Sequence, residues 1–240
     1  MTLWLALMLV AQNPPMGGGP DLREQIACAP TNAKEPPAAA LRIAGSAVHG
    51  RVMFATGDAV VLNAGTEQGV QKGQMYYVRR RVSDQFTPVS ADFIPISIHT
   101  AGWVTIVDTK DYVSIATVTH ACDAVMYGDY LEPFTSPVVP GPALDGKPDY
   151  ENPGRIVLAD ERRQVGSAGM LMLINRGSEQ GVRAGQSLTI YRTTMGGFGP
   201  VLDVGRATVL SVRPETSLMR IDSSREAVYI GDLVAIHRIQ

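Results

Sequence analysis

Short apolar runs rich in β-branched and aromatic residues recur along the chain, each bounded by glycine, aspartate or asparagine. That pattern predicts short β-strands. In the first part of the chain the runs fall at 59–62, 75–78, 104–107, 113–118 and 130–131; in the second they fall at 170–174, 188–191, 207–212, 218–221 and 233–236. No window sustains an apolar stripe of helical period, and "DSSREAVYIGD" (222–232) allows at most a brief turn before Gly231. Five short strands in roughly 70 residues predict a small curled sheet or barrel, because curling hides strand edges with little chain.

The two sets of runs belong to an internal repeat. "NAGTEQGVQKGQ" (63–74) returns as "NRGSEQGVRAGQ" (175–186), an offset of 112 residues. Farther on, "GWVTIV" (102–107) answers "GRATVL" (205–210) and "AVMYGDYL" (124–131) answers "AVYIGDLV" (227–234), at an offset of 103. The first copy therefore carries nine extra residues between Arg80 and Gly102. A repeat of this length predicts two like domains. The expected division is 1–40, a signal-type segment and disordered lead; 41–134, a first small barrel with a hairpin insertion; 135–153, a proline-rich linker; and 154–240, a second small barrel.

The glycines of the repeated sentence stand four apart (Gly65, Gly69, Gly73; Gly177, Gly181, Gly185), which on a helix would suggest an interface. Flanking strands and polar inserts predict a long turn instead. Val70 and Val182, the apolar residue inside each turn, are expected to plug the loop over the barrel end. Glu67 and Glu179 read as solvent-facing turn residues, Asn63 and Asn175 as Asx-turn residues, and the Gly-Asp pairs at Asp129 and Asp232 as tight entry turns in which the carboxylate ties down amides.

Composition narrows the function classes. Lys and Arg total 21 against 23 Asp and Glu, a net charge of −2, which argues against a nucleic-acid footprint. The one tight basic cluster is Arg79, Arg80 and Arg81, and the second copy keeps only Arg192 of it. The apolar start, residues 3–11, is too short to span a bilayer and close to a signal-peptide core in length. Residues 12–40 read as linker, with one helical turn around residues 22–27. Cys28 and Cys122 permit one disulfide or none. His49, His99, His120 and His237 show no metal-ligand spacing, so no metal, cofactor or catalytic residue is assigned.

Other candidates read as structure. "TMGGFGP" (194–200) lacks the lysine and the helix of a phosphate loop and predicts a hairpin tip. Phe198, Phe86 and Phe93 are either exposed anchors or lids over the core. Asp160, Glu161, Arg162 and Arg163 form a polar turn rather than an acid/base pair. Trp103, Tyr76, Tyr77 and Tyr191 could stack on sugars, although strand alternation should bury at least half of them.

The repeated pattern around Asn63, Gly65, Gly69, Val70 and Gly73, and around Asn175, Gly177, Gly181, Val182 and Gly185, resembles the C-terminal SH3-like barrel of the flagellar assembly protein T. It is similar also to modules of LysM-containing bacterial envelope proteins. The resemblance implies an all-β chain of two tandem SH3-like β-barrels joined by a proline-rich linker. It implies a non-enzymatic accessory or scaffold protein, exported to the periplasm or secreted, that binds an envelope protein partner and uses no cofactor. Peptidoglycan binding is the alternative. Nucleic-acid binding and hydrolysis rank below both.

Overall fold

The computed structural model describes residues 21–33, 41–82, 96–141, 144–159, 163–194 and 199–238. These residues form seventeen strands, one short helix and brief 3-10 turns. Helix α1 (Leu22–Cys28) and strand β1 (Thr31–Ala33) come first. Then follow β2 (Ile43–Gly45), β3 (Met53–Phe54), β4 (Ala59–Leu62), β5 (Met75–Val82), β6 (Ile96–Thr109), β7 (Ser114–Ala121), β8 (Val125–Met126) and β9 (Tyr130–Pro133). The second half holds β10 (Lys147–Ala159), β11 (Val165–Gly166), β12 (Leu171–Ile174), β13 (Ser187–Thr193), β14 (Val201–Val212), β15 (Ser217–Ser224), β16 (Val228–Tyr229) and β17 (Leu233–Arg238).

The second half is a closed antiparallel barrel in the order β10-β12-β15-β14-β13-β17. The first half is a sheet in the order β2-β4-β7-β6-β5-β9, with β1 added on β6. Position by position the two orders correspond, and the small pairs β3–β8 and β11–β16 correspond as well. They differ at the seam. Strand β10 is thirteen residues long and meets β17 at Lys147–Asp149 and again at Gly154 and Arg155. The three-residue β2 leaves a single Arg42–Tyr130 bridge to β9, flanked by Ile43 N–H donating to Asp129 O at 2.9 Å and Leu131 N–H donating to Leu41 O at 3.0 Å.

Each half buries its own core. In the first, Ile43, Leu62, Val78, Val104, Ile106 and Val118 pack together; in the second, Ile156, Met172, Ile174, Leu188, Ile190 and Ile221 do so. Each such side chain contributes about 1.5–3 kcal/mol through burial. Strand alternation is plain in β7, where Ala116 and Val118 point inward and Ile115 is exposed. Strand β12 breaks the alternation, because all four of its residues are buried. Met172 and Ile174 belong to the barrel core, whereas Leu171 and Leu173 join Val157, Leu158, Leu210 and Leu218 in an outer cluster against which Leu22 and Ile26 of α1 pack. A strand covered on both faces has no polar row to show.

Two segments expected to be unstructured are ordered parts of the fold. Within the expected lead, residues 21–33 form α1, where the helical turn was expected around residues 22–27, and β1, held by the apolar contacts just given and by a Cys28–Cys122 disulfide. The expected linker becomes strand from Lys147 onward, and Pro148 is accommodated opposite His237 at the end of the β10–β17 pairing.

Candidate functional site

The repeated sentence is a structural clasp in both halves. After the strand, a 3-10 turn at Thr66–Gln68, or Ser178–Gln180, lies on the tip of the following hairpin. Thr66 and Glu67 N–H donate to Lys110 O and Asp111 O at 2.9 and 3.0 Å; Ser178 and Glu179 N–H donate to Arg213 O and Pro214 O at the same distances. The carbonyls come so near that Gly65 and Gly177 have no room for a Cβ. Gly69 and Gly181 close the turns in the left-handed conformation. Val70 and Val182 are buried in their respective cores, the plugs that the pattern predicts. Glu67 and Glu179 are exposed.

The remaining repeated polar residues tie strands together. Asn63 Oδ1 accepts from Arg42 N–H at 2.6 Å and Asn175 Oδ1 from Arg155 N–H at 2.7 Å, so each asparagine reaches across to the first strand region of its half rather than making a local Asx turn. Arg80 donates to both oxygens of Asp129 at 2.7 and 2.8 Å, and Arg192 grips Asp232 with the same two distances. The same carboxylates accept Met126 and Tyr229 N–H. Hydrogen bonding to these aspartates holds the Arg80 and Arg192 guanidinium pKa values above the usual arginine value. Arg79 is buried, so the basic cluster offers one exposed cation, Arg81.

Among the aromatic candidates, Tyr77 and Tyr191 are buried, and Trp103 is stacked on His120 with ring centroids 4.3 Å apart. Tyr76 is half-buried, its hydroxyl donating to Gln74 at 2.7 Å. His237 joins Asp145 and Thr189: Nδ1 lies 2.6 Å from Asp145 Oδ1 and Nε2 lies 2.8 Å from Thr189 Oγ1. The connectivity is that of a catalytic triad, but Thr189 is fully buried and Arg206 also donates to its hydroxyl. The arrangement serves as a clamp whose His237 and Thr189 are buried and whose Asp145 is exposed. His99 pairs with Asp123 and His49 is exposed. Phe86, Phe93, Phe198, Asp160, Glu161 and Arg162 lie outside the described residues.

Concave surface is found where α1 and β1 meet both halves. A groove of about 430 Å³ runs between Ile26, Thr31, Arg79 and Glu132 on one side and Arg213, Thr216 and Leu218 on the other. Arg79 is 6% exposed; its Nη1 donates to Thr100 Oγ1, and its guanidinium lies 4.3 Å from the Tyr77 ring centroid. Burial pulls the Arg79 pKa down, and nearby Glu132 opposes that shift. Among the described residues, Arg79 Nε, Thr31 Oγ1 and Tyr130 OH are buried without a hydrogen-bond partner. Glu132 Oε2 forms an ion pair with Arg79 Nε at 3.5 Å. Burial, followed by the Glu132 charge, pushes the Tyr130 hydroxyl up to about 12. Unpaired buried polar atoms cost about 1–3 kcal/mol each, and two of these three belong to groove-wall residues, Arg79 and Thr31.

A second cleft, about 480 Å³, is bordered by Glu24, Cys28, His120 and Cys122 on one side and by Gly166, Met170 and Met172 on the other. No family model matches the chain, and no curated protein matches it in sequence. Sequence reasoning did not find either concavity. Their residues come from the lead, the first half and the second half together, and only folding brings those stretches side by side.

Proposed function

We propose that the chain is an exported, non-enzymatic accessory or scaffold protein of the bacterial envelope, built from two SH3-like barrels, that holds a protein partner in the groove beside Arg79. The repeated strand order and the twin clasps support the SH3-like reading of both halves. The observation that carries partner binding is that Arg79, whose Nε is ion-paired with Glu132 at 3.5 Å but makes no hydrogen bond, and Thr31, whose Oγ1 makes none either, both belong to the wall of that groove. Two arginines, Arg79 and Arg213, face one carboxylate, Glu132, so the groove suits a partner segment bearing an acidic side chain or a free carboxylate. Apolar neighbours such as Leu173, Val212 and Leu218 would seat its hydrophobic flank.

The test places a photo-crosslinking residue at Val138, an exposed residue of the groove wall, and as control at Tyr112, exposed on the β6–β7 turn. Illumination in an envelope extract is expected to give a discrete protein adduct from Val138 alone, weakened by Arg213→Glu, which reverses an exposed charge. Equal adducts from both positions, or an adduct indifferent to Arg213→Glu, would count against the groove. Co-sedimentation with purified sacculi stripped of protein would shift the assignment to peptidoglycan.

A further inference from the structure

Glu24 and Cys28 are four residues apart on α1, and His120 lies near the end of β7 with Cys122 one residue past it. A helix brings i and i+4 to one face, and a strand brings i and i+2 to one face. The two faces meet: the ligand atoms of Cys28, His120 and Cys122 lie within 4.8 Å of one another, and His120 Nε2 is 2.9 Å from Glu24 Oε1. Two sulfurs and an imidazole thus converge at the edge of the 480 Å³ cleft, and the Glu24 carboxylate stands beside the imidazole as a fourth donor within reach of a side-chain adjustment.

From this convergence we infer that the dithiol form of the protein is a metal protein, binding one Zn²⁺ through Cys28, Cys122, His120 and Glu24. Zinc prefers four such donors in a tetrahedron, at about 2.3 Å from sulfur and about 2.0 Å from nitrogen or oxygen. The Trp103 ring stacked on His120 restricts the tilt of the imidazole. The cleft supplies an entry path. In the disulfide form the sulfurs are bonded to each other, so cross-link and metal exclude one another. The newly made chain carries both residues as thiols and needs no reductant. Zn²⁺ binding then displaces the two thiol protons to solvent, and the sulfurs bind as thiolates. This inference stands apart from the proposed partner groove, on different residues.

The experiment uses the full chain, reduced with a phosphine, freed of reductant and kept anaerobic. Co²⁺ is titrated as the spectroscopic probe and Zn²⁺ as the competitor. One Co²⁺ per chain is expected, with the strong visible bands of tetrahedral cobalt and a thiolate-to-cobalt charge-transfer band, both removed by Zn²⁺. The oxidised protein and Cys28→Ser/Cys122→Ser should show neither, and His120→Ala should weaken the visible bands. A second readout does not depend on α1 staying docked after reduction: Zn²⁺ should slow iodoacetamide alkylation of the two thiols roughly tenfold or more. Unchanged alkylation together with a featureless or octahedral cobalt spectrum overturns the inference. So does a tetrahedral spectrum that survives Cys28→Ser/Cys122→Ser undiminished.

Discussion

A methyl group on Gly65 would stand 1.8 Å from Lys110 O, and one on Gly177 would stand 2.2 Å from Arg213 O, so either alanine must push its clasp off the hairpin. Gly65→Ala and Gly177→Ala are expected to cost about 1–3 kcal/mol each in urea unfolding. Gly141→Ala, with open space around it, should stay within about 0.5 kcal/mol of the parent. Asp232→Ala leaves the Arg192 fork and the Tyr229 amide without their acceptor and should cost about 2–4 kcal/mol. Acid sensitivity belongs to this scale too. The His237 hydrogen bond holds the Asp145 carboxyl below its ordinary 3.8, and the Asn152 backbone amide does the same for Asp149. Their native forms release protons more readily than the unfolded chain, so their stabilisation is complete above the ordinary value and fades as pH falls through the lowered ones. Asp145→Asn should therefore flatten the loss of stability below about pH 4 in acid unfolding followed by circular dichroism.

Elements show why the extra length of the first copy exists. The β5–β6 hairpin pairs one step farther than β13–β14, adding Val82–Ser97 beyond the Arg81–Ile98 pair that matches Thr193–Val201, and the far edge of the longer β6 receives β1 at Ile96–Ile98. The N-terminal segment is then secured by β1, by the disulfide and by the apolar face of α1. Cys28→Ser/Cys122→Ser should raise hydrogen exchange across residues 22–33 by an order of magnitude or more while sparing β12 to β15. Each of the ten predicted runs overlaps an observed strand, because each carries buried apolar residues, alternating in β7 and continuous in β12. The two-residue strands β3, β8, β11 and β16 are too short to have a period. Strand β10 was hidden by proline, aspartate and asparagine in its half-exposed first part. The metal-type cluster was half visible: "EQIAC" holds the helical spacing and "HAC" the strand spacing, but nothing in either says that they face each other.

At the scale of the whole molecule, the two cores share no residue, and the outer cluster beneath α1 is built on the second half. Ile106→Ala and Ile190→Ala should each lower the stability of their own half by about 2–5 kcal/mol, and the double variant should be additive within about 0.5 kcal/mol in urea titrations. Coupling beyond that would mean one cooperative core. The duplicated architecture was legible because the clasp needs particular residues at particular places. The concave surfaces were not, since a groove is defined by what three distant stretches leave unfilled. Among the described residues no helix is long and apolar enough to cross a membrane. The Cys28–Cys122 bond spans 94 residues of sequence. A pull from the N-terminal side would pass through this bond to Cys122, just beyond the end of β7, and the three residue pairs of β1 would be spared the tension. As long as the sulfurs remain joined, the chain has a built-in strain relief between its leading end and its folded body.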